Sequence, residues 1–377
     1  MAREFDVAVV GAGIVGASVA MALAATHRVM LLEGESQPGY HTTGRSAAVF
    51  EEAYGPAAIR KLANASRPFL ADPPPGFSDY PLLRPRGVVF AAAAERRPSI
   101  DKALVDALPG TVVEIARHEA IALCPALDAD WLDRALYEKG AMDMDVAAIH
   151  RGYLRKFAAV GGTLVCNAAA SGLARAGSTW RIATAAGEFE AAHIVNAAGA
   201  WADEIGKLAG AASIGIEPRR RTALVFAPPA DAGATQAWPM VCEIDEEFYF
   251  KPDAGLLLAS PADETPSAPC DAQPEEIDVA TCIARLEAAT RLRVASVKRK
   301  WAGLRCFVSD RRPVLGPDPT LPGFHWAAAL GGYGIMTSPA TGRIVAAGVR
   351  GEELPADLAA AGFAWPDFSP ARLAHAR

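Results

Sequence analysis

The sequence predicts an α/β protein in which a Rossmann-like dinucleotide-binding domain is interleaved with a second, α+β domain on a mixed sheet. Three observations lead there. A strand–glycine turn–helix unit opens the chain, a Pro-rich crossing interrupts it, and strand-rich segments then separate further strand–helix pieces. A chain of 377 residues is also long for one compact core.

The first unit is "DVAVVGAGIVGASVAMALAA" (6–25). It is apolar enough to suggest a signal peptide or a membrane span. The leader "MAREFD" lacks a basic region, because Glu4 and Asp6 cancel Arg3, and clustered glycines would weaken a spanning helix. The better reading is a buried parallel strand, a turn, and a helix from Ile14 to about Ala25, followed by a second strand, "HRVMLLE". Gly11 then permits the tight turn, Gly13 lets a pyrophosphate approach the backbone, and Gly16 allows close helix–strand packing. The helix start, at Ile14 and Val15, offers free N–H groups to phosphates. Glu33 ends the second strand where a carboxylate meets an adenosine ribose, and its charge argues against a 2′-phosphate.

Two later segments favour FAD over NAD. "GYHTTGRSAA" (39–48) is a Gly- and hydroxyl-rich loop. Its Thr42, Thr43, Gly44, Ser46, Ala47 and Ala48, with the fixed cation Arg45, suit phosphate and ribitol contacts. "HIVNAAGAWADEIGKLAG" (193–210) adds a strand, a small-residue turn with Ala198, Gly199 and Trp201, and a helix. No second Gly-x-Gly-x-x-Gly stands in a strand–helix setting, which leaves electrons to come from the substrate.

Next comes "ADPPPGFSDYPLLRPR" (71–86), read as the crossing into the second domain. "RRRTALVFAPP" (219–229) is strand-like, and "EEFYFKPDAGLLLASPA" (246–262) reads as a hairpin turning at "PDAG". "PEEIDVATCIARLEAAT" (274–290) has helical periodicity, with apolar residues at 277, 279, 283 and 286. "LGGYGIMTSPATGRIVAAGV" (330–349) opens a helix at Gly331, Gly332 and Gly334, and Thr337, Ser338 and Pro339 read as its start signature. Aimed at a flavin, with Tyr333, Ile335 and Met336 in its first turns, that helix start would stabilise negative charge on the reduced ring.

Composition narrows the function classes. Hydrophobic residues make up 51% and charged residues 21%, as in globular proteins. A net charge of −6 without a long basic run argues against nucleic acid. Cys124, Cys166, Cys242, Cys270, Cys282 and Cys306 form no C-x-x-C pair, so neither a disulfide framework nor a metal site is read, and reduced thiols fit the cytoplasm. Peripheral membrane docking stays open.

"VVGAGIVGAS", "LLEGESQPGYHTTGRSAA", "VNAAGAWADEIGKLAG", "FYFKPDAGLLLASPA", "WAGLRCFVSD" and "GGYGIMTS" together resemble the D-amino-acid oxidase-like family of FAD-dependent amine oxidoreductases, and within it the D-arginine dehydrogenase branch. The resemblance runs from about residue 5 to 372. It implies an FAD-binding domain of residues 1–80, 145–215 and 305–377 and a substrate-binding domain of 81–144 and 216–304, with FAD held non-covalently. Cys306 follows Arg305, but the local pattern is not that of covalent flavin attachment, so a free buried thiol is expected.

Oxidising an amino acid at Cα needs its carboxylate clamped and its amine neutral, and arginine forks do the clamping best. Along the strand 219–227, Arg221 shares a face with Ala223 and Val225 while Arg220 points away. By resemblance, Arg221 and Arg305 bind the carboxylate, Tyr249 reaches it, Tyr54 lines the pocket mouth, and the Gly332 carbonyl accepts from the amine. The pocket is expected to include Val49, Glu51, Val88, Met240 and Cys242. Two departures stand out. Val88 replaces the glutamate that pairs the substrate guanidinium in that branch, and Val49 replaces a histidine. Glu51 could supply another acid, although it and Glu52 could also face solvent.

The expected activity is oxidative deamination of neutral, apolar D-amino acids rather than D-arginine, passing electrons to a quinone or O2. Basic substrates held by Glu51 come second, and D-aspartate and D-glutamate should be poor. A secondary-amine oxidase and a non-catalytic FAD-binding subunit are the alternatives.

Overall fold

The structure, a computed structural model, describes residues 3–230 and 232–375. An eight-stranded sheet forms around Arg3–Val10, which pairs in parallel with Gly187–Asn196 on one side and Val29–Leu32 on the other. Thr163–Val165 and Phe324–Ala328 extend the parallel array outward. The antiparallel strands Ala170–Ala176, Thr179–Thr184 and Val314–Pro317 complete it. Val7, Ala8 and Val9 are fully buried, as a parallel strand covered on both faces requires.

The helix Ile14–Ala24 packs against the helix Gly334–Arg350 at close range. A Cβ on Gly342 would fall 2.2 Å from Ser18 Oγ. Ser18 Oγ donates to the Ser338 carbonyl (2.7 Å), and Tyr153 from the helix Val146–Ala159 meets Ser338 Oγ at 2.9 Å. Three helices are thus tied by one buried polar knot behind the glycine turn. Pro339 lies inside Gly334–Arg350 rather than in a start signature. The Ile335 carbonyl that it leaves without an N–H partner accepts from Ser338 Oγ at 2.8 Å.

Beyond the helix Ala57–Ala71, the Pro-rich crossing leads to a small sheet of Val49–Phe50, Met142–Met144 and Leu83–Pro85. From there the chain enters a nine-stranded mixed sheet. Its Val88–Ala92 runs parallel to Met240–Glu243 and antiparallel to Arg134–Glu138, and the hairpin Tyr249–Asp253/Leu256–Ser260 lies where it was expected. The longest pairing joins Glu217–Phe226 to Val297–Phe307, which carries Arg305 within this second sheet. The helix Glu276–Ala289 buries Val279, Cys282, Leu286 and Ala289. Ile277, expected on that stripe, is 66% exposed, because it lies on the opposite side of the helical wheel.

One histidine pair is expected to make the first sheet acid-sensitive. His325 is 3% exposed and its Nε2 lies 3.1 Å from His193 Nδ1. Burial first, and His193 second, push its imidazole down to about 3. A histidine near 6.5 when unfolded and near 3 when folded binds its proton first in the unfolded chain. Stability contributed by neutral His325 is therefore complete above about pH 6.5 and lost as pH falls toward 3, by about 1.4 kcal/mol per pH unit. In urea unfolding across that window, His325→Leu is expected to flatten the pH dependence relative to the parent. Equal slopes would show that His325 does not carry it.

Candidate active site

The glycine turn is built as the sequence predicts. Gly11 has φ +100°, and a Cβ there would sit 2.5 Å from the Ala197 carbonyl oxygen. A Cβ on Gly16 would fall 1.8 Å from the Gly11 carbonyl oxygen, so Gly16 serves packing and does not line the cavity above it. That cavity, about 950 Å³, reaches from Glu33 past Gly11, Gly13, Ile14 and Val15 to Arg221, Tyr249, Arg305 and Gly332. Its walls also hold Thr42, Thr43, Arg45, Ser46, Ala47, Ala198, Gly199 and Trp201, together with Gly331, Gly334 and Ile335.

Glu33 accepts from the Ala12 N–H and the Glu35 N–H, each at 3.0 Å, and keeps lone pairs for a ligand. Thr43 Oγ1 accepts from the Ile14 N–H at 3.0 Å, capping the helix across the loop. Arg45 departs from its expected role. Its guanidinium donates to the carbonyls of Ala272 (2.9 Å) and Ala302 (3.0 Å) and pairs with Asp271. Its charge is spent on the protein, where it moors the loop to the Arg305 strand. Thr42 Oγ1, donating to Leu304 O, and Trp301 Nε1, donating to Arg45 O, reinforce the same join. Gly44, Tyr333 and Thr337 likewise do not line the cavity. Gly44 sits in a tight turn, Tyr333 packs edge-on to Tyr54, and Thr337 is buried inside its helix.

The two arginines meet through strand register. Arg221 lies opposite Gly303 and Arg219 opposite Arg305, so Arg221 and Arg305 are diagonal neighbours on one sheet face, roughly 7–8 Å apart at the backbone. Arg220 points to the other face and pairs with Glu275 and Asp278. Arg221 is 7% exposed; its Nε donates to the Asp263 carbonyl (2.8 Å), and Nη2 lies 3.5 Å from Glu264. Its Nη1 is buried without a partner. Glu264 is itself engaged by both Nη atoms of Arg311. Arg305 is half-buried, and its Nη1 donates to Tyr54 Oη at 3.3 Å. Gly332 crosses beside it, where a Cβ would meet Arg305 Cζ at 2.7 Å.

A side cavity of about 60 Å³ opens from this junction, sharing Ser46, Ala47, Tyr249, Arg305, Gly332 and Ile335 with the large one. Val49, Glu51, Tyr54, Met240, Cys242, Ala48 and Met336 line it. Val88 does not. It is fully buried behind this wall, between Met240 and Glu138 in the strand order. Glu52 pairs with Arg67, whereas Glu51 is buried against the cavity. Cys306 is a free, buried thiol that burial pushes up to about 12.

Sequence reasoning missed Glu246. It lines the side cavity and accepts from Tyr54 Oη at 3.0 Å, from a turn where its φ is +59°. Arg96, paired with Asp245 (3.1 Å) and Glu247 (2.5 Å), braces that turn. In the sequence it is one of four acids in "EIDEEF", with nothing to set it apart.

A cavity of this volume lies at the top of the range for ligand sites, and its glycine cradle and unpartnered guanidinium N–H suit an extended, phosphate-bearing flavin and an anionic substrate. Fold and site together define a flavin-dependent oxidoreductase. The chain belongs to the DAO family of FAD-dependent oxidoreductases, whose model matches residues 6–347. Such enzymes oxidise amines and amino acids, and their cofactor is FAD. Glycine oxidase of Geobacillus kaustophilus is 26% identical over 95% of this chain and 96% of its own. The crystal structure of glycine oxidase from that organism matches with a TM-score of 0.82, 23% identity, and 93% and 96% of the two chains covered. L-proline dehydrogenase from P. horikoshii matches with a TM-score of 0.82 at 20% identity over 100% of both chains. Iminodiacetate oxidase from Chelativorans sp. BNC1 gives 0.78 at 22% identity, covering 92% of this chain and 96% of its own. Among the described residues no helix is long and apolar enough to cross a membrane.

Gly11→Ala is expected to weaken FAD retention about 10- to 100-fold, from backbone strain and the clash with Ala197. The flavin-to-protein absorbance ratio after gel filtration measures it. Full retention would remove the glycine turn from the cofactor site.

Proposed function

We propose that the protein oxidises small, neutral D-amino acids to 2-imino acids, which water hydrolyses to 2-oxo acids and ammonia. The observation that carries this reading is the unpartnered, buried Nη1 of Arg221 beside Arg305 and Tyr249 on the large cavity's wall. The chemistry FAD supplies when bound is acceptance of two electrons from the carbon that bears the amine. The chain's own part is to hold the substrate still and dry. Arg221 and Arg305 take the carboxylate, Tyr249 donates a third hydrogen bond, and the Gly332 carbonyl accepts from the amine.

A side cavity of only about 60 Å³ favours a short side chain. Glu51 and Glu246 on its wall disfavour acidic substrates by like charge. Preference for the D form, and kinship with the D-arginine branch, rest on the motifs "GYHTTGRSAA", "FYFKPDAG" and "GGYGI". Val49 puts no imidazole on the cavity wall where that branch has a histidine, and Val88, behind the wall, offers no acid, which speaks for neutral substrates over D-arginine. A second reading, oxidation of secondary amines such as N-methylglycine or proline, draws support from the relatives named for iminodiacetate and L-proline.

Anaerobic titration of the flavin band separates the two. Bleaching by D-alanine faster than by D-arginine, D-aspartate or L-alanine is expected. Bleaching only by N-methylglycine or proline would move the assignment to secondary amines, and no bleaching by any of them would sink both. Arg305→Leu is expected to raise KM about 100-fold, the loss of a charged hydrogen-bonded pair, with flavin retained. Gly332→Ala should act in the same direction by displacing the Arg305 guanidinium. Unchanged KM in both variants would separate these residues from substrate binding.

A further inference from the structure

Glu51 is a buried acid for which no protein partner is found. It is 5% exposed, directly after the strand Val49–Phe50, and its carboxyl makes no hydrogen bond or ion pair among the described residues. Among its neighbours, Glu246 accepts from Tyr54, Glu52 pairs with Arg67, and Cys242 Sγ donates to the Glu243 carbonyl. Glu138 Oε1 accepts from the Glu52 N–H, and its Oε2 is buried without a partner, but Glu138 does not line the cavity. A buried carboxyl kept free of partners is costly unless a ligand completes it. The ligand that completes a carboxylate is a cation.

Resting on the amino-acid reaction above, we propose that Glu51 accepts the proton that the substrate ammonium must lose before its carbon can be oxidised. The step is a simple proton transfer. An N–H bond of R–NH3⁺ breaks, an O–H bond forms on the Glu51 carboxylate, and no electrons leave the pair. The cavity confines the two reactants. Arg305, which takes the substrate carboxylate, and Gly332, which faces the amine, share the walls of the same space of about 60 Å³ with Glu51. The amine stands one carbon from the held carboxylate, so it has little room to be elsewhere.

The charged and titratable groups around Glu51 fit this task. Glu138 comes from the strand Arg134–Glu138, Glu246 from the turn before the hairpin, Cys242, Tyr249 and Lys251 from neighbouring strands, Tyr54 from the same loop, and Arg305 from across the cavity. Burial above all, then Glu138 and Glu246, push the Glu51 carboxyl well above its usual range, against the opposing pull of Arg305 and Lys251. A carboxylate raised in this way is a stronger base toward an ammonium. Below its shifted ionisation Glu51 carries its own proton and cannot act, so flavin reduction should rise with pH as Glu51 ionises.

The test is stopped-flow flavin reduction of the holoenzyme by D-alanine across pH, in the parent, Glu51→Gln and Glu51→Asp. Glu51→Gln is expected to keep its flavin, to reduce about 100-fold more slowly where the parent first reaches its pH plateau, and to approach the parent near pH 10, where an alkyl ammonium ionises unaided. Glu51→Asp should recover part of the rate. A second readout needs no turnover. Binding of 2-aminoisobutyrate, which has no Cα–H to lose, should add a carboxylic-acid band to the infrared difference spectrum of the parent on its pH plateau, but not to that of Glu51→Gln. A Glu51→Gln profile that overlays the parent, or a parent that binds the analogue without the band, overturns the assignment of Glu51 alone. A parent whose flavin no amino acid bleaches overturns the proposed function, and the role of Glu51 with it.

Discussion

Two like charges held on one face of an antiparallel strand pair govern the site. Guanidinium groups on diagonal neighbours of one sheet face repel each other. The protein relieves that repulsion only partly. Arg221 has a backbone carbonyl and a distant share of Glu264, whose oxygens Arg311 already holds, and Arg305 has a tyrosine hydroxyl. Under the proposed function, a bound carboxylate would reverse the sign of the interaction and make the pair an anion receptor. Much of the surrounding chain serves to keep that receptor open. Gly303 leaves the position opposite Arg221 without a side chain, Gly332 leaves room beside Arg305, and Arg45 ties the 42–46 loop to the same strand instead of adding a third free cation.

What the sequence made legible was what short-range rules decide. The strand, glycine turn and helix at the start depend on a few adjacent residues, and period-2 alternation was enough to turn Arg221 inward and Arg220 outward. Most of the misses depend on distant partners. Alternation gives the face of Val88 but not its depth, and Met240 and Glu138 on adjacent strands place it behind the cavity wall. Arg45 looked free because the segments that bind it, 271–272 and 302, lie far along the chain. Glu246 could not be read as a pocket residue without Tyr54, which approaches it from the other end of the fold. Pro339 sits mid-helix because Ser338, through its own hydroxyl, supplies the hydrogen bond that the proline cannot.

The large and the small cavity are walled by shared residues. Ser46 and Ala47 come from the loop beside the glycine turn, Tyr249 and Arg305 from the second sheet, and Gly332 and Ile335 from the start of the last long helix. The Gly331 N–H donates to the Cys306 carbonyl at 2.8 Å, which fixes that helix start against the arginine strand. Any movement of one wall therefore alters both spaces at once. Under the proposed function, a planar ring seated in the large cavity would leave the small one for the substrate side chain and amine. Under the same reading, selectivity would rest on the few residues that face only the small cavity, above all Glu51, Glu246, Met240 and Cys242. Relatives on the same frame are named for glycine, iminodiacetate and L-proline, so the frame alone does not fix the substrate.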